Sequence, residues 1–592
     1  MVNRLISDNC LNKKSQQGAA LLLFFMAILL AGTIFTITNL SVVTSHSSTE
    51  QATSDALSKA KEALISYAVS NYERVGTGGW YGFLPRPETP SAASEGNVVA
   101  NSEAGENRYD HVIGRLPWKH MDIEPLKDGS GECLWYAVSG DYKHGGSIRS
   151  EMLNEDSPGM FELYDENANP LKAGAAANRV VAVVIAPGAR LAALGQTRQP
   201  ADPALFCNVA PNNVVATDYL EVVGPHDNAV FDDIQNIDTF VTARNQQNQN
   251  INDRIITITQ EEIFSAIRNS QSFISRMNRL TESVALCVNE YITTNPVVTG
   301  GGGCDLALCQ AQCVADENIC LAQCNNCRSD CDIAYDACIA AGTRRRDCNR
   351  ARQICRNLCG PIRACTNNCR AVSAACDANC IATCIPGGGG GNNFWLPWPA
   401  PVALSAAIND YRLNSMYNDA NTNQIPGRLP QTIDDSSIAS GNMSVDMFAN
   451  CSAITPIINP FVIPSSIDFT DDVNDEYKIL WRHWKDHLFY VIGSGFEPSN
   501  ATGTATPDCA TTPASCVEVL DAGGASTYYA AVVIYSGTAA AGQNRDLDKG
   551  DYTNYLESYD VANNRFNFTT GQDSDDIAYC ISDQRVITKC SP

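Results

Sequence analysis

Two stretches of the chain carry the same series of short segments in the same order, and this repetition limits the fold more than any other feature. Gly114-Arg115-Leu116-Pro117 recurs as Gly427-Arg428-Leu429-Pro430. Leu134-Trp135-Tyr136-Ala137-Val138-Ser139 recurs as Leu488-Phe489-Tyr490-Val491-Ile492-Gly493. Ala182-Val183-Val184-Ile185 recurs as Ala531-Val532-Val533-Ile534, and Gly195-Gln196-Thr197-Arg198 as Gly542-Gln543-Asn544-Arg545. Tyr219-Leu220-Glu221 recurs as Tyr555-Leu556-Glu557, each followed by a Phe (Phe231, Phe566). Upstream, Ala56-Leu57-Ser58 parallels Ala403-Leu404-Ser405 at the start of a helical pattern. The aromatic and β-branched runs are bounded by Gly or Pro and suit short buried strands. Each copy therefore reads as a helix followed by a small antiparallel sheet. The expected class is α+β with a duplicated body.

The run Ala19–Val43 is almost purely apolar, uncharged, and preceded by Lys13-Lys14-Ser15-Gln16-Gln17-Gly18. About 20 apolar residues suffice to cross a bilayer as a helix. Arg4, Lys13 and Lys14 on one side favour a cytoplasmic N-terminus, so the rest of the chain is expected to be exported. The stretch that follows is rich in Ala, Leu, Lys and Glu and continues as helix. A basic leader, Gly18, an apolar stretch and a continuing helix over roughly residues 13–72 together resemble the type IV prepilins and type II secretion pseudopilins. The LPW, LWYAVS, VVIAPG and YLE segments are similar to the bodies of uncharacterised pilin-like proteins of proteobacteria.

The resemblance implies cleavage between Gly18 and Ala19 by a prepilin peptidase and methylation of the new terminus. It also implies a helix-plus-sheet pilin body and partnership with other minor pilins or pseudopilins. Ala19 stands where that family usually has Phe, and Leu23 where most members have Glu. Lack of this Glu resembles minor members proposed to sit at a filament tip. The expected organisation is a leader (1–18), a transmembrane helix (19–43), a first pilin-like unit (44–299), an insert (300–391) and a second pilin-like unit (392–592). The implied location is the bacterial inner membrane, single-pass, with the body in the periplasm and access to the cell surface or filament tip after assembly.

A net charge of −24 over 592 residues, with only 18% charged residues, argues against nucleic acid as a partner. Of 25 cysteines, all but Cys10 lie beyond the apolar run, and an even number in an oxidising compartment suits full pairing.

Glycines 300–303 and 387–391 bracket a segment whose main feature is cysteine. Its cysteines after Cys304 are Cys309, Cys313, Cys320, Cys324, Cys327, Cys331, Cys338, Cys348, Cys355, Cys359, Cys365, Cys369, Cys376, Cys380 and Cys384. At about 100° per residue the first seven share one helix face. Breaks at Ala341-Gly342 and Gly360-Pro361 divide the segment into three helices. The expected module is an all-α, disulfide-rich helical hairpin, its bridges standing in for an apolar core. The alternative is a store for a soft metal such as Cu(I) held by thiolates.

No nucleophile elbow, zincin, P-loop or dinucleotide motif is present. His483 and His487, spaced i, i+4, read either as a helical metal pair or, with Trp481 and Trp484, as an interfacial aromatic patch. Asp546, Asp548 and Asp551 form an acidic loop that could take Ca²⁺, as could Asp419, Asn421 and Asn423; otherwise they are Asx turns. Gln196 and Arg198, with Gln543 and Arg545, read either as a polar site or as loops whose Arg pairs with Glu221 or Glu557. The functional expectation is a non-enzymatic minor pilin or pseudopilin acting in filament assembly or adhesion to a surface ligand. No cofactor is required by it. The other class is an anchored exported binding or metal-storage module.

Overall fold

The computed structural model describes residues 48–70, 81–88, 95–98, 110–143, 152–198, 206–207, 215–233, 235–244, 250–294, 394–403, 411–412, 417–418, 426–434, 444–446, 476–498, 507–540, 542–545, 548–568 and 575–591. They divide into two compact units. The first takes residues up to 74, then 81–147 and 158–266; the second takes 75–80, 148–157 and 267–592.

In the first unit, helix α1 (48–70) buries Ala56, Leu57, Ala60, Leu64, Tyr67 and Ala68, an i, i+3/i+4 stripe that needs an apolar partner. Strands β1 (Val112–Arg115), β2 (Trp135–Val138), β3 (Phe161–Asp165), β4 (Pro170–Lys172) and β5 (Val180–Ala186) form a sheet in the order β1-β2-β5-β3-β4. A two-residue pair, β6 (Val222–Val223) and β7 (His226–Asp227), stands apart from it. Strand β8 (Asp238–Thr242) joins β3 in parallel, and β9 (Arg254–Thr259) joins β5 antiparallel. All of β5 is buried. Its pairing with β9 shifts between Val180 and Ala182, and such a bulge reverses the facing of one residue. Val180 therefore reaches the same core cluster as Val183 and Ile185, with Trp135, Phe161, Phe240 and Tyr219. Gly114 is fixed by close approach, because a Cβ there would lie 2.2 Å from the Glu88 carbonyl oxygen. Helix α2 (Gln260–Arg268) follows β9, and its Glu262 pairs with Lys61 of α1.

In the second unit, α3 (Gln271–Thr294) buries Phe273, Met277, Leu280, Val284, Cys287 and Val288 along one face. Strand β10 (Gly427–Arg428) leads the main sheet, and β11 (Thr432–Asp434) and β12 (Ser444–Asp446) form a separate pair. Helix α4 (Glu476–Trp484) precedes β13 (Leu488–Ile492); β14 (Val517–Leu520), β15 (Ser526–Tyr529), β16 (Ala531–Tyr535), β17 (Tyr559–Asp560), β18 (Arg565–Asn567), β19 (Ile577–Ile581) and β20 (Ile587–Lys589) complete the unit. The main sheet is antiparallel with order β10-β13-β16-β19-β20. A second sheet runs β15-β14-β18-β17, with β14 and β18 parallel. Strand β16 is buried throughout. Val532 and Ile534 face a core shared with Val517, Val519, Phe566 and Phe568, while α3 packs across β16, β19 and β20.

The segments that recur in the sequence lie on strands with matching neighbours. Arg115 stands opposite Trp135 and Arg428 opposite Phe489; β2 pairs with β5, and β13 with β16, in the same antiparallel sense. The helix expected at the start of the second copy lies mostly outside the described residues, which include Ala403 but not Leu404 or Ser405.

The expected architecture needs correction. The described residues are mostly strands in several sheets, two of them mixed, and do not form a pilin-like helix plus small antiparallel sheet. The excess comes from the spacers between repeated segments. They supply β3, β4 and β8, which extend the first unit's sheet beyond β5, and β14, β15 and β17, which with β18 form a second sheet in the second unit. Among the described residues no helix is long and apolar enough to cross a membrane. The longest, α3, carries Arg276, Arg279 and Glu282 within its span. The transmembrane helix expected over Ala19–Val43, Gly18 and the leader lie outside the described residues, and the single-pass inner-membrane placement, with the membrane character that went with it, finds no helix to support it. The division near residue 300 is also displaced: α3 and residues 148–157 belong to the second unit.

Candidate functional site

Each copy contains a tyrosine between two arginines. In the first unit the guanidinium carbons of Arg115 and Arg198 lie 4.4 and 5.1 Å from the Tyr219 ring centre. In the second unit those of Arg428 and Arg545 lie 5.0 and 4.7 Å from the Tyr555 ring centre. A buried guanidinium over an aromatic face keeps its charge stabilised where water is excluded. The donors are spent on main-chain acceptors. Arg198 donates to the Gly188, Pro187 and Tyr219 carbonyls, and Arg545 donates to Asn554 O at 2.7 Å and Gly537 O at 2.6 Å.

The expected Arg–Glu pair forms in the second copy and not in the first. Gln196, not Arg198, reaches Glu221, at 2.6 Å; Arg198 pairs with Glu132 at 3.3 Å. In the second copy Arg545 lies 4.0 Å from Glu557. Gln543 donates to the Thr553 carbonyl.

Around Tyr555 the second unit carries a cluster of charges that has no counterpart among the described residues around Tyr219. Register equates Cys133 with His487, each preceding the Leu that accepts a backbone bond from the Gly-Arg-Leu-Pro segment. Cys133 is bonded to Cys207, whereas His487 is buried among carboxylates. A 3-10 turn, Lys485–His487, follows α4 and presents Asp486 and His487. Residues 153–157 supply the other acids. Their shape is fixed locally: Asp156 N–H donates to Asn154 Oδ1 at 2.9 Å, and Asn154 N–H to Ser157 Oγ at 3.1 Å. His487 Nε2 lies 3.1 Å from Asp156 Oδ2 and 4.0 Å from Asp486 Oδ1, while its Nδ1 lies 3.5 Å from Glu155 Oε1. Lys549 Nζ donates to Asp486 at 2.6 Å and lies 3.5 Å from Asp156. Tyr555 donates its hydroxyl to Asp156 Oδ2 at 3.1 Å. Trp484 Nε1 donates to Glu155 Oε2 at 2.8 Å, and Asn154 Nδ2 to Asp486 Oδ1 at 2.8 Å.

Burial by itself would push the Asp156 carboxyl up, but His487 and Lys549 outweigh it and hold the group well below the usual carboxylate range. Burial would likewise lower His487; Asp156, Glu155 and Asp486 outweigh it and raise the imidazole. Lys549 is raised in the same way, by Asp486 and then Asp156 against burial. Burial pushes the hydroxyls of Tyr555 and Tyr535 well up, so both stay neutral.

Asp156, Asp486 and His487 have ligand atoms close enough together to hold a metal ion. The charges already present argue against one. Three carboxylates (Glu155, Asp156, Asp486) face three fixed cations (Arg428, Arg545, Lys549), and Lys549 Nζ already bonds Asp486. A divalent ion would leave an uncompensated double charge in a fully buried place, which is costly. With His487 protonated the cluster sets four cations against three carboxylates; its carboxylates and imidazole are buried, while Lys549 is partly exposed.

A second buried acidic pair lies in the first unit. Glu221 Oε2 accepts the N–H groups of Asn252 and Asp253 at 3.0 and 2.9 Å, and Asp253 Oδ2 accepts from Glu221 N–H and Asn228 Nδ2 at 2.9 and 2.8 Å. Burial and then neighbouring Glu221 push the Asp253 carboxyl well up.

Of the residues singled out in the sequence, His483 and His487 come together: both are buried and both hold residues 153–156. Asp548 and Asp551 cap their own loop, accepting from Gly550 N–H at 3.0 Å and Thr553 N–H at 2.9 Å. Asp546, the loop of Asp419, Asn421 and Asn423, and the whole cysteine-rich insert lie outside the described residues. Sequence reasoning missed Glu155, Asp156 and Lys549. Their signal was a cluster of charges in a chain otherwise poor in them, but Asn154-Glu155-Asp156-Ser157 falls in a spacer between repeats.

Outside the insert three disulfides are described: Cys133–Cys207, Cys509–Cys516 and Cys580–Cys590. Cys287 is also disulfide-bonded. No family model, no curated protein and no solved structure matches the chain.

Proposed function

We propose that the chain is an exported, non-catalytic structural component and, within that class, a minor subunit of a type IV pilus or type II secretion-type filament acting in assembly or adhesion. Disulfides carry the first part. They join residues as far apart in sequence as 74 positions, and such bonds persist in oxidising compartments. The enclosure of the titratable cluster supports a structural role over catalysis, since chemistry needs a group that a substrate can reach. The filament role rests on the sequence resemblance at Lys13–Gly18 and in the repeated body segments. It names prepilin peptidase and other minor pilins as partners. Copper binding by the insert is the competing role, resting on its cysteine stripes.

The test takes the native protein from cells. Alkylation before reduction, followed by mass spectrometry, should find the three described pairs closed; free thiols at these positions would overturn export. Surface shearing should release the protein from wild-type cells and not from cells lacking the assembly ATPase. Equal release from both would leave an exported structural protein but remove the filament role.

A further inference from the structure

Residues 153–156 are held by two histidines one helical turn apart, and the two need opposite protonation states. Leu153 N–H donates to His483 Nδ1 at 2.9 Å, so Nδ1 must be unprotonated. The His483 carbonyl also accepts from Asn154 Nδ2 at 2.8 Å. His487 sits between Asp156 at 3.1 Å and Glu155 at 3.5 Å, a setting that favours imidazolium. We propose that His483 and His487 form a pH-gated clamp that holds residues 153–156 in the second unit and loosens them as His487 gives up its proton.

The other groups facing His487 leave it as the titrating member. From the clamped segment come Glu155 and Asp156, and from its own turn Asp486. From the loop after β16 come Arg545, whose Nη1 is 3.4 Å from Nδ1, and Lys549. From β10 comes Arg428, which donates to the Asp486 carbonyl. Tyr535 and Tyr555 place their rings 6.2 and 5.4 Å away. Asp156 is held low and Lys549 high by their mutual contacts, and burial keeps the tyrosines neutral. Burial opposes protonation of His487, and the three carboxylates outweigh it.

The sign follows from linkage. A histidine whose folded pKa exceeds its unfolded value adds stability that is complete below the unfolded pKa and is lost as pH rises through the folded one. The clamp is therefore tight on the acidic side of neutrality and loosens on the alkaline side. His483 sets the lower limit, because protonating Nδ1 breaks the bond from Leu153.

Hydrogen exchange on the full-length protein tests this, read on the peptide covering residues 152–157 between about pH 5.5 and 8.5 and normalised to intrinsic rates. The expected result is a loss of protection with rising pH above about 6.5, at up to about tenfold per pH unit, levelling once His487 is neutral. His487→Gln keeps a donor near the Nε2 position without titrating and should abolish the alkaline loss. His483→Asn keeps an acceptor near the Nδ1 position and should leave the loss in place. If His487→Gln does not fold, Asp156→Asn serves, since removing that carboxylate should shrink the loss and make it level off at lower pH. Protection independent of pH in the wild type, or the same profile in wild type and variant, would overturn the clamp.

Discussion

Tyr219 and Tyr555 occupy matching places, each between two guanidiniums, so one substitution made at both separates the shared device from the local one. The surroundings differ at the hydroxyl. Tyr555 Oη donates to Asp156 Oδ2 at 3.1 Å inside the ion cluster, whereas Tyr219 Oη has no hydrogen bond among the described residues. Tyr555→Phe deletes a donor to an ionised, fully buried carboxylate. Bonds to charged groups contribute about 1.5–3 kcal/mol. His487 and Lys549 still face Asp156, so a loss near 2 kcal/mol is the working value. Tyr219→Phe removes only a group that water can replace, and a change within about 0.5 kcal/mol is expected. Tyr→Leu at either position removes the ring itself, with its packing and its two cation–π contacts, and should cost each unit about 3–5 kcal/mol. The assay is urea unfolding followed by hydrogen exchange on β2 and β5 for the first unit and on β13 and β16 for the second. Equal losses for the two Phe variants would refute the placement of Asp156 against Tyr555. Negligible losses for both Leu variants would refute the stacks.

Three further outcomes follow. Asp253 binds its proton more tightly folded than unfolded, so the first unit should lose stability as pH rises above about 4; Asp253→Asn should flatten that slope in denaturant midpoints taken from pH 5 to 8. Opening Cys133–Cys207 by double Ser substitution should cost about 4.5 kcal/mol and Cys509–Cys516 about 2.5, because the first closes 74 residues of separation and the second 7; calorimetry or urea midpoints would show the order. Gly114→Ala should lower the first unit's melting temperature and spare the second, since its Cβ would strike the Glu88 carbonyl oxygen where β1 meets that residue.

Several features were legible in the chain alone. The aromatic and β-branched runs Trp135–Val138, Val180–Ala186 and Ala531–Tyr535 are strands because such side chains suit a pleated, buried surface. The ordered repeats marked segments that take the same neighbours in two sheets, since matching side chains at matching spacing pack the same way. Some outcomes belong to tertiary structure. Periodicity does not name a strand's partner, and in the parallel pairs β3–β8 and β14–β18 only Phe566 of β18 is among the recurring residues. The expected pilin-like body failed there, because those added strands extend one sheet and build a further one. His483 and His487 were visible as an i, i+4 pair, but not their role. That role depends on Leu153 and Asp156, some 330 residues earlier, and on Lys549 and Arg545 some 60 residues later. A charge cluster of this kind is set by where the chain brings acids and bases together out of water. Electrostatic energy depends on distance and burial, and neither is written in local sequence.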